Sequence, residues 1–335
     1  MNERVSIIIP AYNIEKEIER CVKSVLAQTY QEIQVIIVND GSTDGTLDVL
    51  RRLEKTDNCI TVIDKVNDGV TKARLTGVEY ATGDWIGFVD GDDYIESDMY
   101  EHLLDNAHKY QADISHCGYQ MVFPSRVDFY YNTGRLVKQD KITGLKDLLS
   151  GEFIEPGLCN KLFRKTLFHS LLHDGVMDLS IKNYEDLLMN YYLFREAKKS
   201  VYEDFCPYHY MVRKGSASTS KVNEHKLRDP LAVLKIIKRE TVGFPQLQQV
   251  LNERIVSILI NLSTMPTREQ KELVIPYRNS ARKELRNLAM GIFKGHYSCK
   301  LKLQVAIAII SPWTYMGIHT LYARIRGTDK KYEVR

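Results

Sequence analysis

Apolar residues occur first in short unbroken runs and then at helical spacing, and the two patterns alternate through the first hundred positions. "VSIIIP" (5–10) is a continuous run suited to a strand buried on both faces. Ile14, Ile18, Cys21, Val22, Val25 and Leu26 then share one helical face. "IQVIIVN" (33–39) predicts a second strand, and Leu47, Val49, Leu50 and Leu53 predict a helix over 44–55. "ITVID" (60–64) is a third strand, 70–80 a short helix and "DWIGFVD" (84–90) a fourth strand. This alternation implies an α/β architecture with a mostly parallel sheet flanked by helices. Ligands of such sheets bind outside the carboxyl ends of the strands. The residues there are polar: Tyr12 and Asn13, Asn39 to Ser42, Asn67 to Lys72, and Asp90 to Asp93.

From Asn223 onward the pattern is helical, as in "DPLAVLKIIKRE" and "LQQVLNERIVSILINLS", with no constellation that suggests catalysis. Three segments follow: 1–110, 111–220 and a helical C-terminal region, 221–335. A net charge of +3 does not read as a nucleic-acid binder. The charge is uneven, with eight basic and two acidic residues from 291 to 335. Six cysteines without CxxC spacing argue against a zinc site and a disulfide scaffold, and suit reduced thiols in a cytosolic protein. The apolar run after "MNER" is too short for a signal peptide. No stretch reaches the roughly 18–20 apolar residues of a spanning helix.

"GFVDGDDYIE" (87–96) places Asp90, Asp92 and Asp93 at the end of the fourth strand. Like charges this close repel and resist losing water, so a cation should hold them. A calcium loop starting at Asp90 fails because Tyr94 and Ile95 occupy its fifth and sixth positions, where the sixth needs glycine. A helix start with Ser97 as N-cap accounts for Glu96, Asp98 and Glu101 but not for Asp90 to Asp93. A divalent ion held by one or two carboxylates, with substrate phosphates completing its shell, accounts for the rest. Neither GxGxxG nor GxxxxGK[ST] occurs, so this is not a common dinucleotide or P-loop site.

"VSIIIPAYNIEKEIERCVKSVLAQTY", "VIIVNDGSTDGT", "NDGVTKARLTG" and "GDWIGFVDGDDYIE" resemble, in order and spacing, the successive motifs of family 2 glycosyltransferases, over about the first 110 residues. The resemblance implies a GT-A fold, in which Asp90-Gly91-Asp92 is similar to the DxD motif. Carried over position by position, it implies that Pro10, Ala11 and Tyr12 border the base of a nucleotide sugar, with Tyr12 stacking on it. Asp40 hydrogen-bonds the base, Asp68 faces it and Arg74 fixes that region. Asp90 lies near the ribose and the metal, and Asp92 ligates Mn2+ or Mg2+. Asp93 caps the next helix or supports the site. The family often has Asn after "AR", where this chain has Leu75.

"CNKLFRKTLFHS" (159–170) and "NYEDLLMNYYLF" (183–194) resemble the acceptor half of bacterial members. The resemblance makes Asp186 the general base that deprotonates a sugar hydroxyl in one inverting displacement; read alone, Glu185 and Asp186 are acids favouring a helix N-terminus. "YHYMVRKGSASTS" (208–220) resembles a loop that closes over the diphosphate, with Arg213, Ser216 and Ser218 as its ligands, or is a plain basic loop. His209 is a further metal ligand or a structural histidine. Residues 300–327 are apolar and aromatic, broken by Pro312 and flanked by basic residues. They suit peripheral contact with the inner face of a membrane and a lipid-linked glycan acceptor, or a helical pair packed on the protein. The expected activity is transfer of a hexose or N-acetylhexosamine from a nucleotide diphosphate sugar, UDP first, to a surface glycan. The rivals are a sugar-1-phosphate nucleotidyltransferase, which wants a glycine-rich first loop absent from "IPAYNIEKE", and a non-catalytic glycan-binding scaffold.

Overall fold

Strands built from unbroken apolar runs must be covered on both faces, and the N-terminal half of the chain does this with helices between parallel strands. In the computed structural model the described residues are 3–129, 132–151, 154–213, 220–267 and 270–326. The first half alternates β1 (Val5–Ala11), α1 (Ile18–Leu26), β2 (Ile33–Asp40), α2 (Thr46–Glu54), β3 (Ile60–Lys65), α3 (Val70–Tyr80) and β4 (Trp85–Phe88). Then come β5 (Tyr94–Ile95), α4 (Met99–Tyr110), β6 (Ile114–Val122), β7 (Val127–Phe129), β8 (Leu136–Asp140) and α5 (Lys141–Ser150). β9 (Lys161–Arg164), α6 (His169–His173), α7 (Glu185–Glu196) and β10 (Lys199–Met211) complete this part.

One sheet runs in the order β3-β2-β1-β4-β9-β6-β10-β5, with β7 on β6 and β8 on β10. β3, β2, β1 and β4 are parallel, in the register Ile7 opposite Val35 and Gly87. β9 enters antiparallel to both β4 and β6, so the sheet as a whole is mixed. The fold is of the GT-A type. Its core holds Ile7, Ile8, Ile9, Val35, Ile36, Ile37, Phe88 and Phe163, all without solvent exposure. Four hydrophobic or β-branched strands packed between helices bury enough apolar area to outweigh their ordering.

The chain forms two compact units, 1–148 with 154–213, and 149–153 with 214–335. The second is helical: α8 (Glu224–Glu240), α9 (Pro245–Thr264), α10 (Lys271–Lys294), α11 (Cys299–Ile310) and α12 (Pro312–Arg326). None of the six cysteines is in a disulfide. Among the described residues no helix is long and apolar enough to cross a membrane. One local reading shifts by a residue: the N-cap position of α4 is Asp98, which makes no side-chain cap hydrogen bond, and not Ser97, whose carbonyl receives the Thr29 amide at 2.8 Å.

Candidate active site

The carboxyl ends of the parallel strands carry loops that grip one another. After β1, Asn13 adopts φ +52°, tolerable for asparagine. Its side-chain oxygen accepts the Thr43 amide at 2.8 Å, and its own amide donates to Ser42 Oγ at 3.0 Å. Pro10 and Ala11 end β1 beside Val38 and Asn39, and the ring of Tyr12 stands half exposed above them.

At the end of β2, Asp40 is buried. Lys65 donates to its Oδ1 at 2.6 Å, and the amides of Asp68 and Gly69 donate to Oδ1 and Oδ2 at 3.0 and 2.8 Å. The carboxylate thus closes the loop into α3. Gly69 turns there at φ +92°, a conformation other residues rarely adopt. The side chain of Asp68 is mostly exposed. Lys65 escaped notice in the sequence, although the parallel register sets it directly beside Asp40.

Arg74 is the centre of the site. It lies on α3 and is almost wholly buried. Nη2 donates to Asp90 Oδ1 at 2.9 Å, and Nη1 donates to Asp186 Oδ1 at 2.5 Å, with Glu185 Oε1 at 3.9 Å. One guanidinium therefore joins the acid that follows β4 to the acids that open α7, Asp186 standing 112 residues after Arg74 itself. Its planar fork sends separate N–H groups in fixed directions to the two carboxylates, a geometry that an ammonium does not pre-organise. Leu75, the next residue, is buried.

The three aspartates of 90–93 separate into different roles. The Asp90 amide donates to Tyr208 Oη at 3.2 Å. Gly91 packs so closely that a Cβ would sit 2.4 Å from Ile14 Cδ1 and 3.0 Å from the Pro10 carbonyl oxygen. Asp92 Oδ2 receives Arg213 Nη2 at 2.7 Å and Nε at 3.1 Å, while Arg213 Nη1 donates to Glu17 at 3.0 Å. Burial and the neighbouring Asp90 charge raise the Asp92 pKa, against Arg213. Asp93 is fully buried: Tyr208 Oη donates to it at 2.6 Å and the Met211 amide at 2.8 Å. It supports the loop and caps no helix. Burial, then Asp92 and Asp90, hold its carboxyl well above the usual range.

Arginines thus provide the positive charge that the acidic cluster called for, Arg74 on Asp90 and Arg213 on Asp92. Ser216 and Ser218 lie outside the described residues. His209 is buried against Tyr94, its ring stacked at 4.1 Å, and meets Glu96 at 2.5 Å. Among the described residues no three His, Cys, Asp or Glu side chains converge as a metal-binding group.

α7 begins with strain. Tyr184, its N-cap, sits at φ +67°, which costs a bulky residue on the order of 1–3 kcal/mol. Glu185 and Asp186 follow in the first turn. Burial raises both pKa values. The Asp186 charge adds to the effect on Glu185, which reaches about 8 despite Arg74. Behind them lies Lys161, a fully buried lysine that the sequence did not single out. It donates to the carbonyls of Glu155 and Gly157 at 2.8 and 2.5 Å and to Asn160 Oδ1 at 2.8 Å. Asn190 of α7 reaches the Pro156 carbonyl at 2.5 Å, so β9 and α7 share this turn. Burial lowers Lys161 to about 8.

Glu185 makes a stability prediction. Its folded pKa of about 8 exceeds the ordinary 4.5, so its contribution is fully present below 4.5 and is lost as pH rises through 8. Glu185→Gln removes that loss. Its melting temperature should match the parent near pH 4 and exceed it by roughly 5 °C at pH 8. A constant difference across that range would refute the assignment.

The sequence model of "Glycosyl transferase family 2" matches residues 6–172, and the chain belongs to this family. EpsJ of Bacillus subtilis (strain 168), an uncharacterized glycosyltransferase, is 37% identical over 199 residues, which cover 58% of this chain and 57% of EpsJ. The chain spans 57%, 36% and 62% of the lengths of the first three curated relatives it matches. Among solved structures, S. aureus TarS 1–349 in complex with UDP-GlcNAc aligns with a TM-score of 0.69 at 20% identity, covering 92% of this chain and 89% of that one. A mannosyltransferase from Pyrobaculum calidifontis in complex with GDP-Man and Mn2+ aligns at 0.52 and 18%, covering 94% and 88%. At such identities the likeness concerns the fold.

Proposed function

We propose that this chain is an inverting, metal-dependent hexosyltransferase that moves a sugar, a hexose or N-acetylhexosamine, from a nucleotide diphosphate sugar to a hydroxyl of a growing surface glycan. The observation that carries the reading is the shared guanidinium of Arg74. It holds Asp90, on the donor side, and Asp186, on the acceptor side, no further apart than one guanidinium and two hydrogen bonds. A base and a nucleotide-sugar loop have to stand that close for an in-line displacement. Asp186 takes the hydroxyl proton as that oxygen attacks the anomeric carbon, and the nucleoside diphosphate leaves from the opposite face. UDP is the first choice of carrier, supported by the UDP-GlcNAc bound to the similar TarS fold.

Tyr12, half exposed beside Pro10 and Ala11, stacks on the base, while Asp40 and Asp68 frame it. Asp90 and Asp92 fit Mn2+ or Mg2+: both offer hard carboxylate oxygens, and Asp90 already raises the Asp92 pKa by repulsion, which a cation would relieve. Held by Asp90 and Asp92, such an ion would supply positive charge against the diphosphate. Arg213, now on Asp92, pairs with phosphate oxygens, aided by Ser216 and Ser218. The acceptor is lipid-linked, in keeping with a cytoplasmic protein held peripherally at the inner face of a membrane through residues 300–327.

The test is turnover of a nucleotide-sugar panel, with the product's anomeric configuration read by NMR. Chelation should abolish turnover and Mn2+ or Mg2+ restore it. Asp92→Ala should weaken Mn2+ binding in the presence of UDP by roughly 10–100-fold or more, measured by calorimetry. Retained configuration, full turnover in chelator, or pyrophosphate release from a nucleoside triphosphate would each defeat the proposal.

A further inference from the structure

α11 and α12 each leave an apolar stripe uncovered. α11 buries Leu301, Val305 and Ala308 within the helical unit, at positions i, i+4 and i+7. Its other side exposes Leu303 and, seven residues on, Ile310 at 82%. α12 buries Tyr315 but exposes Trp313 at 76%, Ile318, Leu321, Tyr322 and Ile325. Ile318, Leu321, Tyr322 and Ile325 stand at i, i+3, i+4 and i+7, one continuous helical face. Single exposed apolar residues are ordinary, but a stripe of them on consecutive turns marks a contact surface.

The charge of the segment that carries the stripes bears on the partner. Between Glu284 and Asp329 the sequence has no acidic residue and six basic ones: Arg286, Lys294, Lys300, Lys302, Arg324 and Arg326. A second copy of the chain packed face to face would set this positive charge against itself. A bilayer with anionic headgroups complements it, since basic residues near such a surface each add attraction while aliphatic side chains enter the acyl boundary. Trp313 and Tyr322 have an apolar body and a polar tip, suited to headgroup depth. Among the described residues neither helix is long and apolar enough to cross, so a bilayer would take both in its interface plane.

We infer that α11 and α12 dock on an anionic lipid bilayer through the Ile318-Leu321-Tyr322-Ile325 stripe, with the exposed Ile310 and Trp313, where the two helices join, as a second apolar contact. The inference rests on residues 300–327 as a membrane contact and is independent of the transfer chemistry. The test uses the full chain with phosphatidylcholine vesicles, with and without phosphatidylglycerol. Co-sedimentation should be at least about tenfold stronger with phosphatidylglycerol and should weaken with salt. Trp313 emission should move to the blue, against the constant background of buried Trp85, and the shift should vanish in Trp313→Phe. Leu321→Glu combined with Ile325→Glu should lower the bound fraction about tenfold at an unchanged melting temperature and unchanged donor hydrolysis. Equal binding to both vesicle types, or none to either, would overturn the inference. So would a concentration-dependent dimer that the same double substitution abolishes.

Discussion

Asp186→Asn should lower kcat for transfer by roughly 10²–10⁴-fold while leaving the KM for the donor nearly unchanged. Asparagine keeps the shape and an oxygen for the Arg74 Nη1 hydrogen bond, so the fold is kept and only the proton acceptor is removed. The pH profile separates a base from a structural acid. The base must be ionised, so kcat/KM of the parent falls as pH drops through the Asp186 pKa. Burial raises that pKa above its ordinary 3.8, which moves the acid limb up with it. In Asp186→Asn this limb should disappear. Glu185 is the internal control: at about 8 it is mostly protonated at neutral pH and accepts no proton. Glu185→Gln should therefore keep most of the transfer. Full transfer by Asp186→Asn with the true acceptor would remove it from the mechanism.

Arg74→Met should be the most destabilising change in the site, costing on the order of 3–5 kcal/mol because it leaves Asp90 and Asp186 facing one another with no counter-charge. That is a fall in melting temperature of roughly 10 °C. Without the cation the pKa values of Asp186 and Glu185 rise further above their ordinary 3.8 and 4.5. Stability held by a raised pKa is present below those values and lost as pH rises. The deficit of Arg74→Met should accordingly shrink towards pH 4 and widen above neutrality. Arg74→Lys should recover part of it, since an ammonium restores the charge but not the planar fork that reaches both Asp90 and Asp186. A melting temperature within 2 °C of the parent across that range, a small shift on this scale, would contradict the bridging role.

The parallel strands and their polar carboxyl ends were legible because each strand is an unbroken apolar run that stops at an acid or amide, as "VIIVND" and "GFVDGDD" do. The motifs carried the family with them. What spacing does not encode is contact between distant segments. Nothing in "KAR" announces that Arg74 spans Asp90 and Asp186, and nothing in "YHYMVR" ties Tyr208 to Asp93. The entry of β9 antiparallel to β4 was equally hidden, since "KLFR" is short and reads the same in either direction. Lys161 went unnoticed in the sequence because its acceptors are mostly backbone carbonyls, which no side-chain pattern reveals.

The hydrogen bonds from Tyr208 and the Met211 amide to Asp93 bear on how the gene can be recombined. Donor and acceptor halves of such enzymes look like interchangeable blocks, divisible near residue 110. Here the loop after β4 is completed by β10, 115 residues further along the chain at Tyr208. A chimera that imports a relative's 1–110 alone inherits an Asp93 fitted to someone else's strand. Exchanging residues 206–213 along with it should restore soluble expression, so the unit of exchange is discontinuous in the chain.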